Sequence, residues 1–156
     1  MSDALQRMLS PKSIAIVGVS SDFNKLNGRP MKFLLDKGYA GAIYPVNPKY
    51  DEIAGIKCYS SVLDLPEPAD LAVVAVPAKF VTDTVRQLGE AKVASAVIFS
   101  SGFGEMGADG KVLEEELAAA AREGGVRICG PNCLGLINAF EGTMATFSQY
   151  ADAETP

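Results

Sequence analysis

No histidine occurs in the 156 residues of the chain. This excludes a nucleophile–imidazole–carboxylate triad of the usual kind, an imidazole-bound metal and phosphohistidine chemistry within it. Two kinds of residue with chemical capacity remain. The first is the cysteines, Cys58, Cys129 and Cys133, an odd and scattered set. They suit reduced thiols in a cytoplasm better than a disulfide framework, and without further ligand partners they do not make a zinc site. The reading therefore assigns no catalytic residue and no metal site. The second kind is a group of small-residue loops, whose chemistry is binding. The first loop follows Ile14-Ala-Ile-Val17, a β-branched apolar run ending in Gly18. Ser20, Ser21, Lys25 and Gly28 lie in the polar stretch after it, and a helical pattern begins at Arg29. A buried strand, a small-residue loop and a helix start form an anion site, because free backbone N–H groups and the helix dipole face the loop.

The elements that must position such loops recur along the chain. Asp3 to Leu9 reads as one or two helical turns stopped by Ser10-Pro11. Ser13 to Gly18 is the first strand, and Arg29 to Lys37 the first full helix, with Pro30 in its first turn, Leu34 and Leu35 inward and Gly38 as its left-handed stop. Ala42 to Val46 is the second strand and ends in Asn47-Pro48-Lys49. Asp51 to Ser61 reads as irregular, with room for a short extra strand, and Ser60 to Pro66 as a brief helix. Asp70 to Val76 is almost entirely apolar, which puts it in the middle of the sheet. Pro77 ends it, and Phe80, Val81, Val85 and Leu88 recur at helical spacing to about Ala91. Ala94 to Ser100 is the fourth strand, closed by Ser101-Gly-Phe-Gly104. Asp109 is placed to cap the next helix, with Val112, Leu113, Leu117, Ala120 and Ala121 inward, Glu114 to Glu116 as a solvated face, and Gly124-Gly125 as its end. Val126 to Cys129 is the fifth strand, followed by Gly130 to Gly135 and by possible strand pieces at Leu136–Asn138 and Thr143–Phe147. Strands and helices in alternation require parallel strands and right-handed crossovers. The expected architecture is a single doubly wound, Rossmann-like α/β domain over residues 1–150, with 151–156 as the start of a linker. Ligands of such sheets sit outside the carboxyl ends of the strands.

The totals narrow the ligand. A net charge of −5 and a pI near 4.7 argue against a nucleic-acid partner. No apolar run is long enough to span a bilayer, and Met1-Ser-Asp-Ala4 lacks the basic and apolar regions of a signal peptide. Gly18-Val-Ser-Ser21 has no second glycine of the kind a dinucleotide fingerprint places against a pyrophosphate. Asn47-Pro48-Lys49 closes the second strand where an NAD site wants an acidic residue for the ribose diol. A cation at Lys49 suits a phosphorylated ribose instead. That leaves NADP, with its 2′-phosphate, and coenzyme A, with its 3′-phosphate, both open, beside an ordinary exposed lysine.

Five stretches carry a family resemblance. They are Ser10-Pro-Lys-Ser-Ile-Ala-Ile-Val-Gly-Val-Ser20, Tyr44-Pro-Val-Asn-Pro-Lys49, Val74-Ala-Val-Pro77, Ser100-Ser-Gly-Phe-Gly-Glu105 and Gly130-Pro-Asn-Cys-Leu-Gly-Leu-Ile-Asn138. In this order, over nearly the whole chain, the sequence resembles the CoA-binding domain of the ADP-forming acid–CoA ligases, relatives of the succinyl-CoA synthetase α subunit. The resemblance implies coenzyme A as ligand. It puts the CoA phosphates at Gly18, Ser20, Ser21, Lys25 and Gly28, and the adenosine end at Asn47, Pro48 and Lys49. Val76 and Pro77 pack beside the nucleotide, and Ser101, Gly102 and Phe103 lie toward the pantetheine arm. Ser21 to Asn27 read as an insertion relative to succinyl-CoA synthetase. Gly130-Pro131-Asn132 reads as a structural turn, and Glu105 and Glu141 as structural or solvated. The family reaction, acid + CoA + ATP ⇌ acyl-CoA + ADP + phosphate, passes through a phosphorylated histidine in a later domain. This chain is accordingly expected to be inactive alone and to need further ligase domains or subunits, carrying the phosphohistidine and ATP-grasp parts. An NADP-binding oxidoreductase domain and a non-catalytic nucleotide sensor are the alternatives.

Overall fold

The computed structural model describes residues 3–152; of the expected linker start at 151–156, residues 153–156 lie outside the described residues. The chain runs α1 (Asp3–Leu9), β1 (Ser13–Val17), α2 (Arg29–Asp36), β2 (Ala42–Val46), β3 (Glu52–Ile53), β4 (Ile56–Lys57), β5 (Leu71–Val74) and α3 (Ala78–Glu90). It continues β6 (Ser95–Ile98), α4 (Ala108–Gly124), β7 (Arg127–Cys129), β8 (Gly135–Asn138) and β9 (Thr143–Thr146). Single 3-10 turns lie at Val62–Asp64, Gly104–Met106, Ala139–Glu141 and Gln149–Asp152. The main sheet has the order β2-β1-β5-β6-β7, all parallel, and β3–β4 and β8–β9 are separate antiparallel pairs. This is the doubly wound α/β fold expected, and β5 is its middle strand.

Alternation along the buried strands sorts the core into two layers. Ala15, Val17, Ala72, Val74, Ala96 and Ile98 face one side and pack on α3 and α4. Ile14, Ile16, Leu71, Val73 and Val97 face the other, against Met8, Phe33, Leu34 and Met144. Each large side chain so buried stabilises the fold by about 1.5–3 kcal/mol. At the amino ends of the strands Arg7 Nε donates to Asp70 Oδ1 at 2.6 Å and Lys12 N to Asp70 Oδ2 at 2.8 Å, which ties α1 to the start of β5.

Several expectations require correction. Leu35, Phe80 and Val112 carry the right period for a core face but are exposed by 38%, 50% and 54%. Each lies at the margin of its helix's apolar stripe, and the angle at which the helix docks leaves that margin in solvent. Asp109 does not cap α4. The cap position is Gly107, without a side-chain bond, and Asp109 stands in the first turn, where its charge still suits the dipole. Glu114 is not merely solvated, since its Oε2 accepts from Gly104 N at 2.9 Å. Gln149–Asp152 is a 3-10 turn that buries Ala151 and brings Asp152 within 3.0 Å of Lys32 Nζ.

Candidate functional site

From β1 the chain crosses to β2 on one side of the sheet, whereas β5 leads through α3 to β6 on the other. The switch point is the gap between β1 and β5, and the loops at their carboxyl ends frame a cleft of about 450 Å3. Gly18, Asn47, Pro48, Lys49, Val76 and Pro77 all line it. A second hollow of about 260 Å3 shares Val76 and Pro77 and runs on to Ser100 and Ser101. The structure thus brings together four of the five loops that sequence reasoning singled out.

Gly18 makes the first turn possible. Its φ is +84°, and a Cβ there would stand 2.7 Å from Ala75 O. Its N–H donates to Val46 O at 2.9 Å, and its carbonyl accepts from Asn27 Nδ2 at 2.8 Å. Ser20 is buried and builds the loop, its Oγ accepting from Asp22 N at 3.0 Å. Ser21 and Lys25 are exposed. At the start of α2 the amides of Gly28 and Arg29 both donate to Lys25 O, and Pro30 has no N–H. The helix start therefore presents its dipole, with fewer free donors than the sequence pattern implies.

The β2 end is organised by Asn47. Its Nδ2 donates to Val19 O at 2.8 Å, and its Oδ1 accepts from Lys49 N at 3.0 Å. One side chain thereby fixes the first loop and sets the turn that carries Lys49. At Tyr50, just beyond, the nearby Ser21 side chain and backbone, then the Ser20 side chain, push the hydroxyl below the usual tyrosine value. Asn47→Ala is expected to leave Val19 O unpaired and cost about 1–3 kcal/mol of stability, while loosening Lys49. Urea unfolding checks the cost, and unchanged stability would show that the amide bonds contribute nothing net.

The third wall is the Ser100–Gly107 loop. Ser100 Oγ donates to Val76 O, and Asn132 N donates to Ser100 O at 2.9 Å, so the ends of β5, β6 and β7 are stitched together. Glu105 accepts from Gly102 N, and this bond holds its carboxyl below the usual range. Ser101 is exposed at the rim. Phe103, which the resemblance puts toward the pantetheine arm, has its side chain fully buried in the α3–α4 core layer. Lys25 does not line either hollow among the described residues. Ser60, Ser61, Phe80 and Gln87, which sequence reasoning did not assign to the site, line the larger cleft. Phe80 shows one usable signal, an apolar residue in the first turn after a strand end. Gln87 shows none, because it reaches the cleft only through the docking of α3.

Fold and cleft define a doubly wound α/β domain with an open cleft at its switch point. A model of the CoA binding domain matches residues 12–139, and the chain belongs to that family. It is 45% identical over 147 residues to acetate–CoA ligase [ADP-forming] I of Archaeoglobus fulgidus, covering 94% of this chain and 21% of that protein. It is also 45% identical over 152 residues to a trans-feruloyl-CoA synthase of an unknown prokaryotic organism, covering 97% of this chain and 21% of the relative. Among solved structures, a dinucleotide-forming acetyl-coenzyme A synthetase of Ca. Korarchaeum cryptofilum, in complex with phosphate and ADP, superposes with a TM-score of 0.87 at 41% identity. That match covers 92% of this chain and 30% of the other. The chain is thus the kind of CoA-binding domain found in ADP-forming acyl-CoA synthetases, and it spans about a fifth of the length of these two curated relatives. Among the described residues no helix is long and apolar enough to cross a membrane.

Proposed function

We propose that the chain binds coenzyme A across the carboxyl ends of β1, β2, β5 and β6, as the CoA-holding part of an ADP-forming acyl-CoA synthetase. The observation that carries this reading is the convergence of Gly18, Asn47, Lys49 and Val76-Pro77 on one cleft of about 450 Å3, which shares Val76 and Pro77 with the hollow at Ser100 and Ser101. Two hollows that share the Val76-Pro77 wall suit an elongated ligand, with its adenosine end in the larger and its pantetheine arm toward Ser101 and Gly102. The shortage of free amides at the start of α2 gives the anionic groups to side chains, with Lys49 the cation that lines the larger cleft. Relatives named for acetate and for a feruloyl group share the domain. This supports a domain that holds the common thiol ester carrier and leaves choice of acid to other parts. With no histidine in this chain, the phosphoryl-carrying residue comes from a further domain or subunit.

Titration calorimetry with CoA, dephospho-CoA and NADPH tests the reading. CoA should bind more tightly than NADPH. Lys49→Ala should weaken CoA by roughly fivefold, the ~1 kcal/mol of an exposed ion pair, and leave dephospho-CoA almost unchanged. Added salt should shrink the difference. Tighter binding of NADPH than of CoA would replace this function by an oxidoreductase one. Equal losses for CoA and dephospho-CoA would remove Lys49 from the 3′-phosphate, and a selective loss in Lys25→Ala would transfer that role.

A further inference from the structure

Two thiols stand together at the end of β7. Cys129 is the last residue of the strand and pairs with Val97 of β6. Cys133 lies beyond the turn, and its N–H donates to Ile98 O at 3.3 Å. The turn thus doubles back onto adjacent residues of one strand, and the two sulfurs come to 3.6 Å from each other. Both residues are only partly buried, whereas Cys58 is buried and its Sγ donates to Asn47 O at 3.5 Å. No cluster of three or more metal-ligating side chains exists among the described residues, so the pair is not part of a metal centre of that kind. Two free sulfurs already in contact, on residues only partly buried, have one evident chemistry, thiol–disulfide exchange, although burial pushes the Cys129 thiol up.

We propose that Cys129 and Cys133 form a reactive dithiol, a modification site that takes small-molecule disulfides and closes into an intramolecular disulfide. In the first step the thiolate of one cysteine attacks a sulfur of R–S–S–R. The S–S bond of the small molecule breaks, a protein–S–S–R bond forms, and R–S⁻ leaves and takes a proton. In the second step the other cysteine, its proton given to solvent, attacks the modified protein sulfur and expels the second R–S⁻. The protein loses two electrons and two hydrogens, and the small disulfide is reduced to two thiols. The sulfurs need to close only from 3.6 Å to the ~2.05 Å of a disulfide. Because Asn132 N is bonded to Ser100 O within the same turn, closure acts on the segment that ties β7 to the Ser100 loop. This inference stands independently of the CoA reading.

The experiment is treatment of the reduced full chain with glutathione disulfide, followed by acid quenching, alkylation, tryptic digestion and mass spectrometry. Residues 128–156 contain no lysine or arginine, so both thiols fall in one tryptic peptide, while Cys58 falls in another, bounded by Lys57 and Lys79. The 128–156 peptide should become lighter by two hydrogens and resist alkylation, at least about tenfold faster than Cys58 reacts, since exchange follows access. Dithiothreitol should restore both alkylation sites. In Cys133→Ser a stable glutathione adduct should accumulate on Cys129. Persistence of both free thiols in the unmutated chain, accumulation of mixed adducts there without closure, or equal reaction at Cys58 would each overturn the proposal.

Discussion

Gly18→Ala is expected to destabilise the fold by about 2–4 kcal/mol and to weaken CoA at least tenfold in the molecules that remain folded. Two costs add. The residue sits at φ +84°, a conformation that a side chain makes unfavourable by roughly 1–2 kcal/mol. The new Cβ would also stand 2.7 Å from Ala75 O and 2.8 Å from Val76 Cγ1, and the nearer atom is backbone at the end of the middle strand. That backbone cannot rotate away as a side-chain tip can. Relief comes only from spreading β1 and β5 at their carboxyl ends, where the cleft opens. Binding and stability should therefore fall together. Gly55→Ala is the control, because Gly55 has a similar φ of +77° but nothing within 4 Å of a Cβ. It should show the conformational cost without the clash and without any effect on CoA. Urea unfolding and calorimetry on both variants decide the matter. A Gly18→Ala protein as stable and as tight as its parent would show that the two strand ends are free to part.

Phe103→Ala should cost about 3–5 kcal/mol, the range for truncating a fully buried aromatic. The ring has no solvent exposure and packs in the layer that holds Leu117 and Val81. Its own carbonyl lies against Gly110 so closely that no side chain fits there, and the same carbonyl accepts from Met106 N at 2.8 Å. The ring is thus the anchor that holds the Ser100–Gly107 loop against the start of α4. Loss on this scale lowers the unfolding midpoint by on the order of ten degrees in a domain of this size. CoA affinity should fall as well, through the loosened Ser101 and Gly102, and Phe103→Leu should recover most of both properties. Thermal unfolding beside calorimetry separates two roles. A Phe103→Ala protein with unaltered stability and abolished CoA binding would mean that the ring touches ligand.

The site divides in the same way between what is local and what is not. Each small-residue loop could be read from the chain because strand ends, glycines and prolines are local signals of backbone dihedral preference. Their convergence followed from the βαβ alternation, since parallel strands put all their carboxyl ends on one side of the sheet. The partners inside each loop did not follow. Asn47 reads as an ordinary turn residue until Val19 O is beside it, and the amides at the start of α2 read as free until Lys25 O takes them. Cys129 and Cys133 read as two scattered thiols, and only the return of the turn onto β6 puts them in contact.

By itself the sequence determined the fold class, the buried strands with β5 in the middle, the absence of any histidine-based chemistry, and the five loop motifs that mark a CoA-binding domain. All of these follow from composition, from periods of two and 3.6 residues, or from short contiguous motifs. Only the tertiary structure decided that Phe103 is core while Phe80 is exposed at the cleft. Both are aromatic, and both lie just past a strand end. Which of them is buried depends on the packing of α3 and α4 on the same face of the sheet, and contacts between residues far apart in the chain set that packing.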